Sequence, residues 1–343
     1  MKKSCLGLLI LSLFLFLSFS TGAYAKIITL RMASQNPESS NSHIHCIMPW
    51  VKKLEEVTNN QVKVQIFASQ TLVKGKDAWE GVKRGIADMS WCFHGYWPGM
   101  TPLADVISLP ALGFKTGEKG SEVLWKLYDK FPAIQEEFSA NKVLLLYTSH
   151  PYMLITRDKQ VKTIEDIKGL KIRMTGGPPT EMMEALGGVP MLIPMPDNYI
   201  SLQKGVIDGM GSPWEALQAF RLYEVVKYYT DAPFPAVYFS VAMNKKKWNS
   251  LPADIQTAIL GISGLEGSKW WGRNWYDKAQ DRLLEQVKKE NVEIDVYHLP
   301  EAERARWLEI GGKPVWEKWV KDREAKGLKD AQAVLDATLE LLK

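Results

Sequence analysis

The sequence predicts an α/β protein built as two lobes of like topology. Three observations carry that prediction. Strand and helix periods alternate from residue 27 onward, the same alternation recurs after residue 169, and a chain of 343 residues exceeds one ordinary domain, which suggests two of about 150 residues each.

The first unit runs as follows. Residues 27–33 are apolar enough for a strand, and Ile44, Ile47, Val51, Leu54 and Thr58 then fall on one face of a helix. Val62, Val64 and Ile66 alternate with Lys63 and Gln65 as a second strand. Ala78, Trp79, Val82 and Ile86 mark a second helix, and residues 88–93 a third strand. Strand, helix, strand, helix, strand implies a parallel sheet with right-handed crossovers.

The second unit repeats this order with strand 170–174, helix 180–186, strand 189–193, helix 199–206 and strand 208–212. Two short matches accompany it: LRMAS (30–34) with IRMTG (172–176), and KRGIAD (83–88) with QKGVID (203–208). Beyond it, residues 239–243 read as a strand. Residues 252–290 keep helical character despite four glycines, as one long helix expected to run behind both lobes. Trp270, Trp271 and Trp275 on that helix read as packing residues. A strand at 292–299 and two charged amphipathic segments close the chain.

The N-terminus reads as a secretory signal peptide, 1–25. Lys2 and Lys3 precede the apolar run 6–19, and Ala23-Tyr24-Ala25 offers small residues for cleavage after Ala25. The expected location is therefore the periplasm. Those two lysines supply half of the formal charge of +4, so the remainder is near neutral, which disfavours an electrostatic nucleic-acid or membrane-surface binder. Cys46 and Cys92 are the only cysteines after the signal, too few for a disulfide scaffold, and the sequence leaves their pairing open.

Ligands of open parallel sheets bind beyond the carboxyl ends of the strands. Two facing lobes would make a cleft floored by residues 34–42, 91–97, 173–178 and 212–215. Arg173, at the end of a short apolar strand and before Gly176-Gly177-Pro178-Pro179, is then aimed at whatever fills the cleft.

The runs VKTIEDIKGLKIR (161–173), GVIDGMGSP (205–213) and LADVISLPALGF (103–114), with the signal segment and the late long helix, resemble the DctP-type solute-binding proteins of tripartite ATP-independent periplasmic (TRAP) transporters. The resemblance spans the mature chain. It implies a two-lobed periplasmic binding protein fold, each lobe a mostly parallel sheet flanked by helices. It also implies a non-enzymatic receptor, without cofactor, that closes on a small organic acid and delivers it to a TRAP permease; a monomer is expected. The lobes are expected at 26–149 plus about 236–275 and at 150–235 plus about 276–343.

By the same resemblance the arginine of GLKIR binds the ligand's carboxylate, and Arg173 occupies that place. A guanidinium suits the role because its rigid fork meets both carboxylate oxygens and stays charged when desolvated. Met153 and Ser212-Pro213-Trp214 stand where members that bind sugar acids carry a second arginine and an asparagine. One cation favours one carboxylate, since a dianion would leave a buried charge unpaired. Around it the sequence gathers Trp91, Phe93, Tyr96, Tyr152, Trp214, Phe234 and Tyr238, with Met153, which suits an aromatic or indole-type monocarboxylate or 2-keto acid. His94 is a candidate for a polar atom of the ligand, Glu215 for an N–H donor, and Asn36 is a further candidate. A short aliphatic acid is the competing ligand. The competing function is a secreted metal-binding protein or enzyme using His43, His45, Cys46, Cys92 and His94, although their spacing matches no familiar zinc motif. No G-x-S-x-G or H-E-x-x-H motif points to a hydrolase.

Overall fold

The computed structural model describes residues 27–343; the signal segment and its cleavage point lie outside the described residues. Among the described residues eleven strands form two sheets. They are β1 (Ile28–Ala33), β2 (Val62–Phe67), β3 (Met89–Phe93), β4 (Lys142–Thr148), β5 (Met153–Thr156), β6 (Lys171–Arg173), β7 (Val189–Met191), β8 (Gly209–Ser212), β9 (Tyr228–Asp231), β10 (Tyr238–Met243) and β11 (Val296–His298). Lobe I has the order β2-β1-β3-β10-β4 and lobe II the order β11-β9-β5-β8-β6-β7.

One strand in each sheet runs against the others: β10 in lobe I and β5 in lobe II. The hinge explains both. β4 ends at the cleft and the chain crosses directly into lobe II, so β5 starts at the cleft and runs outward. β9 and β10 repeat the crossing in reverse. Every other strand presents its carboxyl end to the cleft, as the Arg173 argument requires.

The internal repeat is real. β2-β1-β3 and β7-β6-β8 have the same order and the same parallel pairing. Its basis lies in the KRGIAD and QKGVID segments. Gly85 and Gly205 take φ of 76° and 70°, a left-handed conformation that glycine adopts without steric cost. Asp88 and Asp208 then clamp the neighbouring strand, accepting from the backbone N–H of Arg31 at 2.8 Å and of Lys171 at 2.7 Å. These clamps make Arg31 the counterpart of Lys171, and Ala33 that of Arg173. The LRMAS and IRMTG match is therefore out of structural register by two residues. A shift of two leaves every side chain on its own face, which is why the apolar pattern hid it.

Two other expectations change. The long helix does not start at 252. Ala253–Leu260 is a separate helix, a turn follows, and the long rod is Gly264–Trp271, a π-helical segment Gly272–Asp277 and Ala279–Lys289. Its first part packs on β4 and on the lobe I helix Gly117–Lys130, its last part on the lobe II helix Trp214–Ala219, so it does span both lobes. The chain end also departs from the expected division. Glu301–Gly311 covers lobe II, but Val315, Trp319, Val334 and Leu335 bury themselves with Leu124, Phe138 and Leu146 of lobe I. An amphipathic helix settles on whichever apolar face remains uncovered, and sequence alone does not say which.

That return is pinned by a buried ion pair. Arg323 Nη2 donates to Asp105 Oδ2 at 2.8 Å and its Nε to the Pro102 carbonyl at 3.0 Å, while Trp319 Nε1 donates to Asp105 Oδ1 at 2.7 Å. Burial still pushes the Asp105 carboxyl up to about 6. Removing one partner of such a pair strands the other, so Arg323→Met is expected to lower unfolding stability by about 3 kcal/mol in urea titrations. The deficit should be larger at pH 8 than at pH 5, where Asp105 takes up a proton. A loss below about 1 kcal/mol at both pH values would show that the clasp does not anchor the C-terminal helices.

Candidate functional site

Arg173 is the last residue of β6 and is fully buried, with 0% exposure. Its Nε donates to the Ile193 carbonyl at 3.0 Å. Nη1 and Nη2 are buried and have no hydrogen-bond partner among the described residues. A desolvated guanidinium with two unmet donors is unfavourable unless an anion arrives to accept them. Its polar neighbours include the phenols of Tyr96 and Tyr152, the latter near enough to interact with the guanidinium through its hydroxyl. Burial pushes the Tyr96 and Tyr152 hydroxyls up in pKa, and the charge of Arg173 acts against that rise in both.

The lobes are closed over this group. Met195 N–H of lobe II donates to Tyr96 Oη of lobe I at 2.7 Å, and Tyr96 in turn donates to Gln35 Oε1 at 3.0 Å. Gly176 N–H reaches the Gly95 carbonyl at 3.0 Å, and Asn41 N–H reaches Gln218 Oε1 at 2.8 Å. The approach at Gly176 requires glycine, because an added Cβ would lie 2.9 Å from Pro98.

One wall of the enclosure is aromatic. Trp91 stacks on Trp275 at 5.7 Å and on Phe239 at 5.3 Å. Phe239 also stacks on Phe93 at 4.9 Å and on Tyr276 at 5.3 Å, and Phe93 meets Tyr96 edge-on at 4.7 Å. Tyr147 Oη accepts from Trp91 Nε1. Of these rings, sequence reasoning named Trp91, Phe93 and Tyr96; it missed Tyr147, Phe239 and Tyr276 and read Trp275 as packing. Strand register supplies the missing signal. Phe239 is paired with Phe93, so it shares that face, whereas its neighbour Tyr238 points the other way.

Glu215 belongs to the same enclosure. It lies in the first turn of Trp214–Ala219, is 4% exposed, and its Oε1 has no partner among the described residues. Burial pushes its carboxyl up to about 7, opposed by the polar groups of Ser42 and Trp275. It is not a solvated helix-capping residue.

The remaining expected residues divide. Tyr152, Met153, Trp214 and Phe234 line a cavity of about 690 Å³ at the hinge, together with His150 and Pro235. Tyr152 thus borders both this cavity and Arg173. His94 and Tyr238 lie on the opposite face of the lobe I sheet. They stack at 5.1 Å, His94 Nε2 shares a 2.9 Å hydrogen bond with Ser240, and Phe138 and Trp79 pack edge-on against the imidazole. Burial alone drives His94 down to about 3, so its ring is neutral. Asn36 is buried in its own loop, with its N–H on Ser34 Oγ at 3.2 Å.

The competing metal set is not assembled. Cys46 and Cys92 are free and sit in different buried clusters, on either side of the sheet, and His45 is exposed. Among the described residues no three His, Cys, Asp or Glu side chains converge as metal ligands. Nor, among them, is any helix long and apolar enough to cross a membrane.

Comparison with known proteins finds the same fold elsewhere. A TRAP solute-binding protein from Rhodoferax ferrireducens, in complex with copurified benzoate, superimposes with a TM-score of 0.86 at 26% identity over 92% of this chain and 97% of that one. A marine-metagenome TRAP solute-binding protein specific for aromatic acid ligands, with 3-hydroxybenzoate, gives 0.86 at 27% identity over 92% and 98%. The C4-dicarboxylate-binding periplasmic protein DctP of Rhodobacter capsulatus is 25% identical over 325 residues, covering 90% of this chain and 92% of that protein. Residues 32–322 match the family model described as DctP, bacterial extracellular solute-binding protein, family 7. A closed two-lobed fold with an unpartnered arginine between the lobes, and a family match over most of its length, make this chain a member of the bacterial extracellular solute-binding protein family 7, the TRAP receptors that bind small organic acids and work with membrane permease subunits.

Proposed function

We propose that the chain is exported, begins at Lys26 once its signal is removed, and captures an aromatic monocarboxylate between its lobes without transforming it. One observation carries the ligand class: a fully buried guanidinium, two of whose nitrogens have no partner among the described residues, neighbours the Tyr96 phenol, whose ring meets Phe93 at the edge of a stack of aromatic rings. Two parallel N–H donors match the two oxygens of one carboxylate. Flat rings at stacking distance match a planar apolar body. Arg173 is the cation that acts on both Tyr96 and Tyr152, and no other cation acts on that pair among the described residues. A second carboxylate would meet aromatic surface. The benzoate and 3-hydroxybenzoate bound by the two similar receptors are acids of this kind.

Arg173→Ala is expected to abolish binding with the fold intact. Loss of one partner of a desolvated charge pair amounts to about 2 to 5 kcal/mol. Arg173→Lys should recover only part of it, because an ammonium lacks the planar fork. Calorimetry with benzoate reads both variants, and an alanine variant of parental affinity would remove Arg173 from the site.

Thermal-shift screening separates ligand classes, because a ligand well above its Kd raises apparent stability by a few kcal/mol. Aromatic monocarboxylates should raise Tm most, ahead of short aliphatic keto acids. A rise with C4-dicarboxylates or uronates alone would mean that a second cation enters the site.

Binding should also close the lobes about the crossings 149–152 and 232–237, by rotation of two rigid bodies. Small-angle scattering is expected to give a smaller radius of gyration with saturating benzoate than without. Superimposable curves would mean that the closed form already prevails in the free protein.

A further inference from the structure

We infer that Glu215 holds a second polar group of the ligand, on the far side of its ring from the carboxylate, so that the receptor selects aromatic monocarboxylic acids bearing a hydroxyl or ring N–H. This deepens the proposed function and rests on that reading.

Arg173 and Glu215 both come from lobe II, one from the end of β6 and the other from the turn after β8. They serve different parts of the enclosure. Arg173 acts on Tyr96 and Tyr152 beside the Ile193 carbonyl. Glu215 lies among Ser42, Trp275 and Tyr276. Both groups act on the Tyr152 phenol, and they stand at neighbouring strand ends, since Arg173 pairs with Met210 of β8 and Glu215 follows the end of that strand. The stacked rings of Trp91, Phe239 and Tyr276 fill the wall that joins the two ends.

Glu215 Oε1 is buried and unpartnered among the described residues, as are Nη1 and Nη2 of Arg173. A buried carboxyl oxygen without a partner is disfavoured. A ligand with a carboxylate at one end and a donor at the other satisfies both ends at once. A ligand with only a carboxylate satisfies one and leaves the other unmet, which is the strongest form of discrimination a buried polar site has. An ionised Glu215 accepts from a hydroxyl or N–H, and a protonated one still accepts through its carbonyl oxygen.

Calorimetry at one fixed pH on the parent, Glu215→Leu and Glu215→Gln, with benzoate, 3-hydroxybenzoate, 4-hydroxybenzoate and indole-3-acetate, tests this. The parent is expected to prefer at least one hydroxylated or N–H-bearing acid over benzoate by about tenfold, the effect of one hydrogen bond to a charged group. Glu215→Leu should bring that ratio close to one, and Glu215→Gln should lower it at least threefold while keeping an acceptor in place. Should the leucine variant fail to fold or to bind, the glutamine variant decides. A parent without preference, or a ratio unchanged in the variants, overturns the role of Glu215 and leaves the aromatic-acid reading standing. A parent that binds none of the four acids overturns both.

Discussion

The interlobe region is organised around a guanidinium that the described residues satisfy at one nitrogen and leave unmet at two. Burying Arg173 completely is costly, because a guanidinium cannot shed its charge to relieve the desolvation. A carboxylate of the chain could have paired with it, as Asp105 does with Arg323. The contrast between the two arginines is instructive. Both are desolvated; one is bonded to Asp105 and to the Pro102 carbonyl and holds the last helices on lobe I, while the other is bonded at one nitrogen of three among the described residues and lies where the lobes meet.

The topology delivers that arginine. Parallel strands aim their carboxyl ends in one direction, and the two hinge crossings turn the lobes so that both sets of strand ends meet. Hydrogen bonds across the cleft include Tyr96 to Met195, Gly176 to Gly95 and Asn41 to Gln218, with the exposed pair Lys318 and Glu181 beside them. A handful of hydrogen bonds, each modest in net worth, does not by itself lock two lobes. An anion on Arg173 would add charge-assisted bonds made from lobe II while its ring packs on lobe I, which is how a ligand shifts an open and closed equilibrium.

The rod behind the lobes adds a second constraint. Its π-helical turn at Gly272–Asp277 widens the helix where Trp275 and Tyr276 join the aromatic wall. Such turns interrupt regular helix spacing and are often found at functional sites. The helix thereby both spans the lobes and contributes two rings to the aromatic stack.

Much of this was readable from the residues alone. Period-2 and period-3.6 patterns located nearly every strand and helix of both repeats, since each is fixed by local burial. The QKGVID and KRGIAD segments reported a shared turn and clamp, and the strand-end position of Arg173 followed from chain order. Tertiary structure decided what local pattern cannot encode. Whether His94 or Phe93, Tyr238 or Phe239, faces the cleft depends on the absolute register of a strand whose two faces are both apolar, so alternation gives no preference. Whether the last helices cover lobe I or lobe II depends on which apolar surface remains after everything else has packed. And the lack of hydrogen-bond partners for Nη1, Nη2 and Oε1 among the described residues is a property of many residues at once, which no single position in the sequence states.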